Sequence, residues 1–248
     1  MKLAKLNGKP EIFYSIQGEG KSIGKPAIFV RLSLCNLHCV WCDTDYTWNW
    51  KSTPFPHVND NQQGYEKYIK KDWIVEVSVA EIISELANYP CKRIILTGGE
   101  PLMQQKELIP LAIALKKSGY MIEVETNGTI VPLQELDQHI DQYNVSPKLE
   151  NSNNSKRLRE KAKAYTYFNA NKRANFKFVI DKQEDLEEIE SLIGTFKIAA
   201  DKIYLMPQGT TGKQLMAKQQ WLIEICKTMG YNYTDRLHIL IYGDKRGV

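Results

Sequence analysis

Cys35, Cys39 and Cys42 lie within eight residues, as Cys-Asn-Leu-His-Cys-Val-Trp-Cys. Three thiolates on one short loop, with no fourth nearby, can hold three irons of a cubane cluster. The fourth iron then stays open to bind a small molecule and pass it an electron, whereas most clusters take four cysteines. With His38 the same cysteines form a possible Cys3His zinc site. A structural zinc loop of that kind is normally completed by a second ligand pair, and Cys91 and Cys226 stand alone. Unligated thiols are the third reading. Cys226 shares a helical face with Leu215, Leu222 and Met229 and reads as a small core residue.

Such a loop needs a scaffold, and strands alternate with helices along most of the chain. An apolar strand over 27–32 delivers the chain to the cysteines. A helix over 78–88 opens with the capping box Ser78/Glu81. A strand over 93–97 ends in Gly98-Gly99-Glu100-Pro101, and a helix over 106–118 stops at Gly119, with Pro110 in its first turn or kinking it. Strands over 121–125, 143–145, 176–180 and 203–206 follow, with helices over 184–193 and 213–229 and a last strand over 236–242. Residues 151–156 are polar and read as loop.

Strands separated by helices imply a parallel sheet with right-handed crossovers. Eight full repeats do not fit in 248 residues, so the expected fold is α/β, an incomplete TIM-like barrel in one domain spanning 1–248. Residues 47–72, rich in Trp, Pro, Asn and Lys, read as an insertion, either a lid or a surface excursion. Polar motifs recur at strand ends: the cysteine loop, 97–100, 125–128, 146–148 and 206–209. Parallel barrels place active sites there, so the five would meet on one rim.

Composition narrows the function classes. A net charge of +4, with Lys and Arg scattered among acids, does not demand nucleic acid. No apolar run reaches membrane-span length, and the N-terminus lacks the apolar stretch of a signal peptide. Clustered thiols without an export signal point to a reducing cytoplasm.

The C-x3-C-x2-C spacing, with Trp41 just before the last cysteine, resembles the signature of the radical S-adenosylmethionine (SAM) enzymes. A more specific resemblance rests on Glu11-Ile-Phe-Tyr-Ser-Ile-Gln-Gly-Glu-Gly20, Cys42-Asp43-Thr44-Asp45 and Thr97-Gly-Gly-Glu-Pro101. With Glu125-Thr-Asn-Gly128 and Ser146-Pro-Lys148, the chain is similar nearly end to end to the 7-carboxy-7-deazaguanine synthases of the queuosine pathway. That resemblance implies conversion of 6-carboxy-5,6,7,8-tetrahydropterin to 7-carboxy-7-deazaguanine. The implied route is hydrogen abstraction at C6, ring contraction, return of the hydrogen and loss of ammonia.

The resemblance also implies roles. Cys35, Cys39 and Cys42 match the 4Fe-4S ligands, and Thr44 matches a hydroxyl that holds Mg2+ against the substrate carboxylate. Ile16, Gln17, Gly18, Arg31 and Thr97 match substrate contacts, and Val248 matches a terminus that reaches the substrate in some members. Gly99, Ser146, Pro147 and Lys148 match SAM contacts. Met206, Pro207, Gln208 and Gly209 align with a further SAM segment, but the family's Gln-Pro is Met-Pro here, with Gln208 after the proline. As chemistry, Gly98 and Gly99 would let backbone approach SAM, Glu100 would accept from its ammonium, and Glu125 and Asn127 would bind ribose or substrate. A reductant such as flavodoxin or ferredoxin and a homodimer are implied as well. Two alternatives remain: a glycyl-radical activase acting on a protein loop, and a non-enzymatic zinc-binding module.

Overall fold

The computed structural model describes residues 1–248. Eleven strands form one sheet: β1 (Lys2–Leu6), β2 (Lys9–Pro10), β3 (Ile12–Ile16), β4 (Pro26–Leu32), β5 (Ile74–Glu76), β6 (Arg93–Gly98), β7 (Met121–Thr126), β8 (Gln142–Val145), β9 (Ala174–Ile180), β10 (Ile203–Pro207) and β11 (Asn232–Tyr233). From β4 through β6, β7, β8, β9 and β10 to β11, every neighbouring pair is parallel. β11 does not pair back to β4, so the barrel is incomplete, as the sequence implies. β1 and β3 pair antiparallel with β4 on its other edge, an N-terminal meander that the sequence reading did not contain.

The helices are α1 (Lys70–Trp73), α2 (Val79–Leu86), α3 (Gln105–Lys117), α4 (Gln134–Asp137), α5 (Lys156–Arg159), α6 (Ala162–Ala170), α7 (Asp185–Phe196), α8 (Gly212–Met229) and α9 (Leu237–Tyr242). The Ser78/Glu81 capping box closes at the start of α2, and Thr211/Gln214 forms a second at α8. Pro110 sits in the second turn of α3, where it removes one helical hydrogen bond.

Strand periodicity sorts residues between two faces. On β9, Ala174, Phe176, Phe178 and Ile180 join the core beneath the helices. Asn175, Lys177 and Val179 alternate with them and face the barrel interior. On β4, Ile28, Val30 and Leu32 go to the core while Arg31 faces in. Ile122 and Val124 of β7 pack outward, and Glu123 and Glu125 alternate with them. Cys226 lies in the core, as its helical spacing suggests.

Two sequence readings are corrected. Residues 236–242 form the helix α9 rather than a strand, because β11 already occupies the free edge of β10. Arg236 and Ile239 are buried three residues apart, which is helical spacing, while Leu240 and Ile241 are exposed. Residues 151–156 are not wholly loop: a 3-10 turn, Glu150–Ser152, precedes α5.

Candidate active site

A cavity of about 260 Å3 opens at the C-terminal ends of the parallel strands. All five strand-end motifs reach it, represented by the three cysteines, Thr97 to Gly99, Glu125 to Asn127, Ser146 with Lys148, and Met206 with Gln208 and Gly209. Ile16, Gln17, Gly18, Arg31, Thr44 and Val248 line it too. Glu100, Pro147 and Pro207 do not; Pro207 ends β10 in register with Ile180.

The cysteine loop is held by backbone fit. A Cβ on Gly98 would lie 1.9 Å from the Leu32 carbonyl oxygen, and one on Gly99 would lie 2.0 Å from that of Leu34 and 3.1 Å from Cys35 Cβ. The paired glycines therefore admit the loop that carries Cys35, rather than simply opening space for a ligand. Glu100 follows the glycine pair. It is fully buried, and its carboxylate accepts from Leu102 N (3.0 Å), Thr126 Oγ1 (2.8 Å) and Asn127 N (2.7 Å). Two of these donors meet Oε1 and one meets Oε2, so the carboxylate fixes Asn127, and it does not itself line the cavity.

Burial raises all three thiols above the ordinary range, Cys42 to about 12, with the charges of Asp43 and Cys39 adding to the effect. Thiolates there need a cationic partner. Donors already point at the sulfurs: Leu37 N lies 3.5 Å from Cys35 Sγ and Asn154 Nδ2 3.4 Å from Cys39 Sγ. Asn154 Oδ1 also accepts from His38 N at 2.9 Å. The His38 ring is stacked on Phe55 at 3.5 Å and does not line the cavity. No set of three His, Cys, Asp or Glu side chains converges on one point as a single zinc ion requires. Three separated thiols facing one cavity instead fit a cluster, where each binds a different iron.

Another part of the lining is ionic. Glu19 pairs with Lys177 and with Arg236 (3.0 Å), and Arg236 also pairs with Asp43. Burial alone would raise the Glu19 carboxyl, but Lys177, Arg236 and His238 outweigh it and hold it well below the carboxylate range. Glu125 accepts from Gln17 Nε2 (3.0 Å) and Thr97 Oγ1 (2.6 Å), which ties three expected site residues together. Arg31 Nε donates to Glu11 at 3.0 Å, while its two terminal nitrogens have no acceptor within the chain. Thr44 makes no side-chain cap bond to its own turn, and its Oγ1 stands 3.6 Å from Cys42 Sγ.

The 47–72 segment packs against the cysteine loop. His57 Nε2 bonds to the Cys42 carbonyl at 2.9 Å, and buried Asp45 accepts from Tyr65 (2.5 Å) and Tyr68 (3.1 Å). Trp48 reaches the cavity wall. Lys177, Arg236 and His238 lie outside the motifs of the sequence reading, while Glu19 falls within the 11–20 run that carries the family resemblance. Lys177 alone carried a signal, as a lone charge at an alternating position in an apolar strand.

Residues 30–181 match the Radical SAM superfamily. Over 96% of its length the chain is 35% identical to the 7-carboxy-7-deazaguanine synthase of Pyrobaculum aerophilum, covering 95% of that protein. It is 34% identical to that of Halobacterium salinarum, with 94% of this chain and 90% of the relative aligned. Among solved structures it is similar to QueE from Escherichia coli, with a TM-score of 0.65, 26% identity and 92% of each chain covered.

Proposed function

The chain belongs to the 7-carboxy-7-deazaguanine synthase family of radical SAM enzymes, and from this we propose that it converts 6-carboxy-5,6,7,8-tetrahydropterin to 7-carboxy-7-deazaguanine with release of ammonia. It is a radical SAM enzyme serving queuosine biosynthesis. The observation that carries the substrate reading is Arg31. Its inner nitrogen is fixed by Glu11, and its outer fork is free in the cavity. A planar guanidinium presented this way suits a carboxylate taken through two hydrogen bonds.

Cys35, Cys39 and Cys42 would hold the cluster, with Asn154 and the Leu37 amide donating to the sulfurs. When bound, the cluster and SAM supply the one-electron chemistry that begins the reaction. Gly99, Ser146, Lys148, Met206, Gln208 and Gly209 wall the neighbouring space and are assigned to SAM. Lys148 is braced by Ser146 Oγ at 2.8 Å. Gln17, Thr97 and Glu125 form a hydrogen-bonded set that would orient the pterin ring, whose edge carries both donors and acceptors. Glu19, fixed as a carboxylate, keeps Lys177 and Arg236 in place beside it.

Mg2+ is assigned to Thr44, whose hydroxyl makes no cap bond to its own turn and, beside Cys42 Sγ, offers a hard cation a neutral oxygen. The electron donor is proposed to be a small carrier such as flavodoxin or ferredoxin, and the setting the reducing cytoplasm. A homodimer is supported by Met216, Leu240, Ile241 and Tyr242, apolar residues left exposed on α8 and α9. No helix is long and apolar enough to cross a membrane.

The test is anaerobic loading with iron and sulfide, then assay with carboxypterin, SAM, Mg2+ and reductant. Carboxydeazaguanine and ammonia should appear without net consumption of SAM. SAM cleavage that yields no pterin product, but does modify a partner protein, would favour the activase. Zinc without iron or sulfide would favour the binding module.

A further inference from the structure

We propose that Arg246 is a positioning residue that locks the 243–248 segment over the cavity and, through Glu11, sets the reach of Arg31 toward the substrate carboxylate. This rests on the carboxypterin reading above. Arg246 gathers three parts of the chain. Its Nη2 donates to Glu11 Oε2 at 2.5 Å and to the Lys5 carbonyl at 3.1 Å, both in the N-terminal meander. The guanidinium carbon lies 3.5 Å from the Tyr46 ring centroid and 5.3 Å from that of Trp73. Such stacking holds a cation while leaving its in-plane donors for hydrogen bonds.

Glu11 is the hub. It is buried, and its two oxygens are divided: Oε1 takes Arg31 Nε (3.0 Å) and Tyr46 Oη (3.2 Å), and Oε2 takes Arg246. Removing Arg246 strips one oxygen of a buried carboxylate of its donor. The carboxylate then turns toward its remaining cation, Arg31, and changes what that side chain can offer the cavity. The segment itself is placed by the same contact. Gly247 has φ +73, and a Cβ there would lie 2.7 Å from Leu6 Cδ2, so the chain passes tightly over β1 before Val248 reaches the cavity. Arg246 also forms the partition between the cavity and a smaller one of about 170 Å3 beside Trp73 and Asp72.

The effect should fall on the pterin and spare SAM, because none of these contacts involves a strand-end motif after β6, β7, β8 or β10. The experiment measures anaerobic affinities for carboxypterin and for SAM on iron-loaded, unreduced protein. The parent is compared with Arg246→Gln, Arg246→Lys and Tyr46→Leu. Hydrogen exchange is followed over 243–248. Arg246→Gln should weaken carboxypterin about tenfold to a hundredfold, the scale of one lost charge-assisted hydrogen bond. SAM affinity should stay within about twofold. Arg246→Lys should recover part of the loss, since it keeps the charge but not the fork. Exchange over 243–248 should be faster in Arg246→Gln, and carboxypterin should slow it in the parent. Should Arg246→Gln fail to load iron, Arg246→Lys and Tyr46→Leu must show the same split. Unchanged carboxypterin affinity, or equal loss of both ligands, would overturn the proposal. A parent that does not bind carboxypterin at all would overturn the substrate reading beneath it.

Discussion

The two walls of the cavity are built differently. The wall that carries the cysteines is built from local motifs, one loop, a glycine pair and turns at successive strand ends, which neutral hydrogen bonds join to one another, as Asn36 to Asn127 and Thr129 and Cys39 to Asn154. The ionic wall is made by ion pairs between residues far apart in sequence. Lys177 and Glu19 are 158 residues apart, Arg236 and Asp43 193, and Arg246 and Glu11 235. A cofactor common to a whole superfamily can be held by a compact motif. A particular anionic substrate is met by charges that the finished fold must bring together. The walls should therefore fail separately.

The largest effect is expected on the cysteine wall. Cys35→Ala, Cys39→Ala or Cys42→Ala should each abolish the cluster's visible absorbance and SAM cleavage, while Cys91→Ala and Cys226→Ala keep both. Iron and sulfide content on each variant checks this. Next comes the ionic wall. Lys177→Met leaves buried Glu19 with fewer cations and should cost about 3 kcal/mol of stability, the scale for breaking a buried pair. Its iron content should nevertheless match the parent's. If Lys177→Met loses iron as readily as a cysteine variant, the two walls are not separable.

A smaller loss is expected at Gly99→Ala, about 2 kcal/mol, because the added Cβ meets the Leu34 carbonyl and must displace the Cys35 loop. Gly194→Ala is the control. It lies within α7 with nothing within 4 Å of the added Cβ, so it should be neutral or stabilising. Urea midpoints for both, with iron retention for Gly99→Ala, separate them. Acid should act chiefly through the ionic wall. Glu19 titrates lower in the fold than at its ordinary value of 4.5, so the unfolded chain binds its proton first. Its contribution is complete above that value and lost as pH falls below it. In Lys177→Met the Glu19 carboxyl is less depressed, so the acid-dependent part of the stability should shrink. A pH series of urea midpoints between pH 3 and 6, the span about the ordinary carboxylate values, shows whether it does.

Legibility in the sequence follows the same division. The cysteine spacing, the glycine pair, the helix caps and the strand ends are local patterns, and the parallel half-barrel could be read from them. The Arg31 and Thr44 assignments came from family likeness, and both side chains do line the cavity. A carboxylate after two glycines looks free in a sequence, and nothing local announces the partners of Glu100. Three donors from 102 to 127 reach it once the strands align. The segment 236–242 carried enough β-branched and aromatic residues to read as a strand, and only the occupancy of the sheet edge by β11 decides for helix. Pairings such as Arg236 with both Glu19 and Asp43 leave no local trace, since each partner is an ordinary surface charge until the tail folds back.

The most direct test of the two-wall account is Arg31→Met, loaded with iron and sulfide and titrated anaerobically with SAM and with carboxypterin. The account predicts full iron content, SAM affinity within about twofold of the parent and carboxypterin affinity lowered about a hundredfold, as for loss of a paired charge-assisted contact. Carboxypterin affinity equal to the parent's, or SAM affinity falling in step with it, would contradict the account.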